Sequence, residues 1–235
     1  MAADDEKVTP ARRGRRGRRL LLVLLAGMVA AWLAVSHRPS WWTAGGDRSP
    51  AAEARGVAFE NALVREMTAV RPDPTPWGFV IADADVNAWL ANRLGPWVES
   101  RGDLDLPPGI DEPRIRFIDG GIEVGVRGPL GGIATARFAI ALDDGGDLLL
   151  TPTGGGLGLV SLGEGTARST AGAVVDMLGG TGVSSGVDIG DIRLEPDGRV
   201  RLPATIPLAD GRRVELDDLE IVPGELAVRF RARPR

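Results

Sequence analysis

Cysteine and tyrosine are both missing from this 235-residue chain, and histidine occurs once, at His37. Without cysteine there are no disulfides, thiol nucleophiles or cysteine-ligated metals. The lone histidine sits beside an apolar run, outside the globular part, so Ser-His-Asp catalysis, histidine general bases and histidine-rich zinc sites are all excluded from the body of the chain. Lysine is nearly absent too, Lys7 being the only one among 28 basic residues, which points to a GC-rich bacterial genome. Residues 49–235 hold 19 basic and 28 acidic residues, a net charge of −9. They lack the basic stripe that neutralises phosphates, so nucleic acid is not an expected partner.

What is present begins at the N-terminus. Arg12, Arg13, Arg15, Arg16, Arg18 and Arg19 lead straight into the uncharged run 20–35, LLLVLLAGMVAAWLAV. Sixteen residues span about 24 Å as helix, slightly under a hydrocarbon core of about 30 Å, and flanking arginines can snorkel. The pattern predicts a single crossing with the basic tail in the cytoplasm, and Trp32, Trp41 and Trp42 suit the membrane interface. Ala34-Val35-Ser36 also offers the small residues of a signal-peptidase site, so an uncleaved anchor and a cleaved signal both stand; either exports the same body. The expected organisation is a basic tail (1–19), a transmembrane helix (20–37), a linker (38–50) and an extracytoplasmic α+β domain (51–235).

Within the body, glycine and proline are frequent and aromatics few, which suits a β-rich fold with many turns. Ser49 and Pro50 open a predicted helix over 51–70, with Phe59, Leu63, Met67 and Val70 in one stripe. The prolines of 72–76 end it. A strand over 77–81 follows, then Asp83 as N-cap of a helix carrying Val86, Trp89, Leu90, Leu94 and Trp97, closed or kinked by Gly95-Pro96. From Pro113 the period changes to two. Ile115 and Phe117 alternate with Arg114 and Arg116, and Ile122, Val124 and Val126 with Glu123, Gly125 and Arg127, about an Asp119-Gly120 turn. Ala134, Ala136, Phe138, Ile140 and Leu142 share a face of the next strand, and 147–153 forms a fourth. The glycine tract 154–158 lacks the lysine and spacing of a phosphate loop and predicts a bend or bulge. A helix over 166–178, a loop over 180–190 and four or five strands complete the chain. Together these predict one long, curved antiparallel sheet packed on two or three helices.

Phe79-Val80-Ile81, then Asp83, Asp85, Asn87 and Leu90, then Ile115-Arg116-Phe117 with Asp119-Gly120 and Ile122, form an ordered set after a single anchor. The set resembles the YpmS-type membrane-anchored bacterial proteins, and more distantly the tubular lipid-binding (BPI-like) superfamily, whose curved sheet wraps a helix and leaves an apolar groove. The clearest part covers about residues 79–163. The resemblance implies a lipid or envelope association and little chemistry.

The residues themselves carry no catalytic constellation. Asp83/Asp85 suit a helix start, Asp188/Asp191 lie in or beside a loop, and Glu215/Asp217/Asp218 lie along a strand. Asp143, Asp144 and Asp147 miss the EF-hand spacing and suit a hairpin turn. No enzyme activity, metal or cofactor is expected. The surplus of period-two apolar faces over helices able to cover them predicts a groove for a lipid or other hydrophobic envelope ligand, lined by Trp89, Ile122, Val124, Val126, Phe138, Ile140 and Leu142. At about 0.8 kcal/mol per buried CH₂, such a groove binds an acyl chain without any charged residue. The alternative is a structural or protein-interaction module of the bacterial envelope, using the acidic surface and a terminal edge strand carrying Arg229, Arg231 and Arg233.

Overall fold

The computed structural model describes residues 13–43, 46–69, 75–101, 111–127, 131–161, 163, 165, 193–207 and 213–233, with side chains in the first helix from Val23 onward. Helix α1 (Arg13–Ser36) contains the apolar run. Helix α2 (Pro50–Thr68) starts as predicted: Ser49 Oγ accepts the Ala52 N–H, and Pro50 occupies the first position, where a missing N–H costs nothing. Strand β1 (Trp77–Ala82) feeds helix α3 (Asp83–Asn92). Asp83 is not the N-cap expected of it. Ala82 holds that position without a side-chain bond, and Asp83 and Asp85 place their charge in the first turn, against the positive end of the helix dipole. The break after α3 falls at Arg93, and Gly95-Pro96 opens helix α4 (Leu94–Arg101) instead of closing α3. Helices α2 and α3 touch almost backbone to backbone, since a Cβ on Gly56 would stand 3.0 Å from the Ala88 carbonyl oxygen.

The strands are β2 (Asp111–Ile118), β3 (Gly121–Arg127), β4 (Ile133–Leu142), β5 (Leu148–Leu157), β6 (Val160–Ser161), β7 (Arg193–Leu194), β8 (Val200–Leu202), β9 (Thr205–Pro207), β10 (Arg213–Val222) and β11 (Glu225–Arg233). The glycine tract lies inside β5. Arg137 faces Gly154 while Phe138 faces Pro152, so Thr153 is the extra residue of a bulge, as the composition predicts.

The class is α+β with antiparallel sheets, but among the described residues the single curved sheet is corrected to two. A seven-stranded sheet runs β2-β3-β4-β5-β8-β7 with β6 on β5; a four-stranded sheet runs β1-β11-β10-β9. The chain changes sheet after Leu202, at Pro203, which has no N–H for a ladder. The Ala204 carbonyl then accepts the Leu216 N–H at 2.8 Å, committing β9 to the second sheet. Strand β11 is central, paired with β1 on one side and β10 on the other. Arg229 and Arg231 therefore do not guard an edge; they pair across strands with Asp218 (3.5 Å) and Asp217 (3.1 Å). Turns hold the sheets together: the Gly120 N–H donates to the Ile221 carbonyl and the Gly224 N–H to the Phe117 carbonyl, both at 3.1 Å.

Phe138, Ala136 and Val200 form a buried cluster, with Ile122, Val124, Leu150 and Leu202 against it. In the other sheet Trp77, Phe79 and Phe230 stack, the closest rings 4.9 Å apart. The helix predicted over 166–178, the loop over 180–190, and Asp188 and Asp191 lie outside the described residues.

Candidate functional site

Six of the seven residues expected to line a groove share one sheet face. Cross-strand register sets Ile122 opposite Phe138, Val124 opposite Ala136, Val126 opposite Ala134, Ile140 opposite Leu150 and Leu142 opposite Leu148. Phe138 is buried in the core, whereas Ile122, Val124, Val126, Ile140 and Leu142 are half-buried. Trp89 stands apart on α3. Its ring meets Trp97 edge-on at 6.1 Å, and its indole N–H donates to Glu60 Oε2 at 3.2 Å. Arg93 Nε donates to the same oxygen at 3.0 Å. That bond holds the Glu60 carboxyl below the usual carboxylate range, against an opposing desolvation, with Trp89 assisting.

The opposite face departs from the alternation. Glu123 and Gly125, expected outward, are buried more deeply than the apolar residues beside them, as is Gly121. Residues 39–43, within the expected linker, lie over this face. Trp42 is 6% exposed, and a Cβ on Gly125 would stand 2.8 Å from atoms of both the Trp41 and Trp42 rings. These two tryptophans, expected at a membrane interface, thus pack on the sheet, and the Arg116 guanidinium lies 5.2 Å from the centre of the Trp41 ring. Glu123, 2% exposed, is paired with Arg116 and with Arg137 Nε at 2.9 Å. Arg114, also expected outward, is 5% exposed and donates to the Asn87 carbonyl at 3.2 Å. Burial pulls its guanidinium below the usual value, partly offset by Glu112.

Among the described residues β2 is the end strand of its sheet, and Asn87 caps that edge. Its Oδ1 accepts the Ile115 N–H at 2.9 Å and its Nδ2 donates to the Ile115 carbonyl at 2.7 Å. One amide side chain thus satisfies both main-chain groups of Ile115 that a neighbouring strand would otherwise pair.

Among the described residues, cavities flank these elements at three places, and the six sheet residues line none of these three. One of about 290 Å³ lies between Trp41, Arg55, Asp83, Asn87 and Arg114. Another, of about 460 Å³, borders Arg48, Glu53, Asn92 and Arg114. The third, about 280 Å³, is an apolar cleft between α2 and β1 formed by Phe59, Leu63, Phe79 and Ile81. Sequence periodicity identifies both of its apolar walls, but not that they face each other.

Of the suggested acidic residues, Asp143, Asp217 and Asp218 are engaged in ion pairs. Asp143 Oδ1 accepts the N–H groups of Gly145 (2.8 Å) and Asp147 (2.9 Å), and Oδ2 pairs with Arg201. Among the described residues no acidic cluster has metal-binding geometry.

Helix α1 presents Val23, Leu24, Met28, Trp32 and Leu33 as exposed apolar side chains. Among the described residues no helix is long and apolar enough to cross a membrane, the described side chains of α1 beginning only at Val23. Its C-terminal end is docked on the seven-stranded sheet: the Leu159 N–H donates to the Ala34 carbonyl at 2.8 Å.

No family model, curated protein or solved structure matches the chain.

Proposed function

We propose that this chain is a single-pass, cytoplasm-in membrane protein whose extracytoplasmic domain binds a lipid or other hydrophobic envelope ligand on the apolar face of its seven-stranded sheet. The observation that carries the reading is the gathering of Ile122, Val124, Val126, Ile140 and Leu142, all half-buried, around buried Phe138 on that one face. Membrane anchoring is supported by the arginine cluster, the uncharged run 20–35, and the exposed apolar side chains of α1, which find no place in water. The ligand is held by apolar area alone, consistent with the engagement of the nearby carboxylates in ion pairs and turns. No covalent step belongs to this reading.

Two measurements test it on the full chain. Because there is no native cysteine, Ala3→Cys and Asp144→Cys report topology through an impermeant maleimide on intact cells. Labelling at 144 but not at 3 is expected, and the reverse overturns the orientation. Photo-crosslinking with a diazirine fatty acid in membranes, followed by peptide mapping, locates the ligand. Adducts on β3–β5 are expected. Adducts confined to Phe59, Leu63 and Phe79 would move the site to the α2–β1 cleft. Absence of any adduct in the domain would overturn lipid binding and leave a protein-interaction module.

A further inference from the structure

We infer that the turn at residues 158–159, between β5 and β6, together with Val160 at the start of β6, is a second membrane contact: an apolar finger lying in the outer interfacial layer beside the end of α1. The inference rests on the proposed anchoring and assigns a lipid surface as the partner of this turn. Leu159 is 65% exposed and Val160 39%, two large apolar side chains at the tip of an otherwise well-packed sheet. Residues 148–163 contain no charged side chain at all, in a chain that is 26% charged, so nothing in this stretch opposes entry into lipid.

The depth of the turn is fixed by the helix. The last four carbonyls of any helix lack intrahelical partners, and in the water-poor layer at a membrane surface such groups must be satisfied by protein. The Ala34 carbonyl is one of these, and the Leu159 N–H satisfies it at 2.8 Å. Leu159 must therefore sit at the level of Ala34, within the last turn of the apolar run and beyond exposed Trp32.

Two glycines make this approach possible. A Cβ on Gly158 would stand 2.2 Å from the Ala34 carbonyl oxygen, and one on Gly132 would stand 2.4 Å from that of Val35. Gly158 also has φ +60°, a conformation that side chains disfavour. The Gly158 N–H donates to the Ile133 carbonyl at 3.0 Å, tying the turn to the start of β4. The helix end, the turn and the hairpin are thus one hydrogen-bonded unit, so insertion of α1 carries Leu159 and Val160 to the lipid with it.

Single-cysteine full-length proteins, Leu159→Cys, Asp144→Cys and Met28→Cys, labelled with an environment-sensitive fluorophore in phosphatidylcholine/phosphatidylglycerol vesicles, test this. Position 144 occupies the turn at the opposite end of the β4–β5 hairpin, about 30 Å from 159 along a ten-residue strand. Several-fold stronger quenching by shallow spin-labelled lipid at 159 than at 144, with a blue-shifted emission, is expected. Quenching at 28 but not at 159 would overturn the finger while leaving the anchor intact. Loss of quenching at 28 as well would overturn the anchored reading and this inference with it. A probe at 159 shielded from aqueous iodide yet insensitive to lipid-borne quencher would place another protein surface there and overturn the lipid assignment.

Discussion

Replacing Asn87 with alanine separates two hydrogen bonds from everything else the side chain does. Asn87 donates to and accepts from the same residue, Ile115, on the outer edge of β2. Each bond contributes about 1 kcal/mol net, and truncation leaves an N–H and a carbonyl on a half-buried strand with only partial access to water. The expected loss is about 2–4 kcal/mol. For a domain of this size that lowers the melting temperature by about 5–15 °C. Urea unfolding followed by far-UV circular dichroism, on full-length protein in detergent, measures it directly. Asn87→Asp sharpens the test. A carboxylate still accepts the Ile115 N–H but cannot donate, and it sets negative charge against the Ile115 carbonyl. Folding then favours the protonated acid, which can donate, so the folded pKa lies above the unfolded one. The variant is therefore expected to be closest to wild type at acid pH and to lose stability as pH rises through the folded pKa. An Asn87→Ala protein within about 0.5 kcal/mol of wild type, or an Asn87→Asp protein with no such pH trend, would refute the edge-closing role.

Other positions give independent tests. Gly125→Ala pushes a methyl against both Trp41 and Trp42 and is expected to cost about 1–3 kcal/mol, with a red shift in tryptophan emission as Trp42 moves toward water. Phe138→Ala, opening a void between Ala136, Val200 and Leu150, is expected to cost about 3–5 kcal/mol in the same urea assay. Glu60→Gln tests the bridge to Arg93 and Trp89. Because the folded carboxyl titrates below its unfolded value, its contribution is full above about pH 4.3 and disappears as pH falls through the folded pKa. The wild-type advantage is expected to stay under about 1 kcal/mol, both partners being over a third exposed, and to vanish in acid.

Local chemistry made much of the fold readable. The Ser49-Pro50 start and the glycine turns at 120, 146, 198 and 224, all with positive φ, lie where residue type demands them. Strand β10 runs from Arg213 to Val222 and ends at the Pro223-Gly224 turn. Pairing between distant segments was not readable. Trp77 facing Phe230 has no local signature, so the division into two sheets stayed hidden. Alternation also misassigned the meander's second face. Glycine beside a glutamate looks solvent-facing until another segment, here Trp41-Trp42, arrives to cover it. The candidate face was legible because β3, β4 and β5 are sequential neighbours whose register follows from their turns. Trp89 stands on α3 away from that face, because helical spacing does not say which layer a helix faces.

The central position of β11 sets a timetable. Strand β1 acquires its hydrogen-bonding partner only when residues 225–233 have been made, long after β2 to β5 can close as consecutive hairpins. Such late, distant closure is slow compared with hairpin formation. A chain that emerges segment by segment would pass through a state with the meander assembled and Trp77 and Phe79 still open. Escort by a chaperone would matter most in that interval, and a premature stop before Glu225 would leave that state permanent.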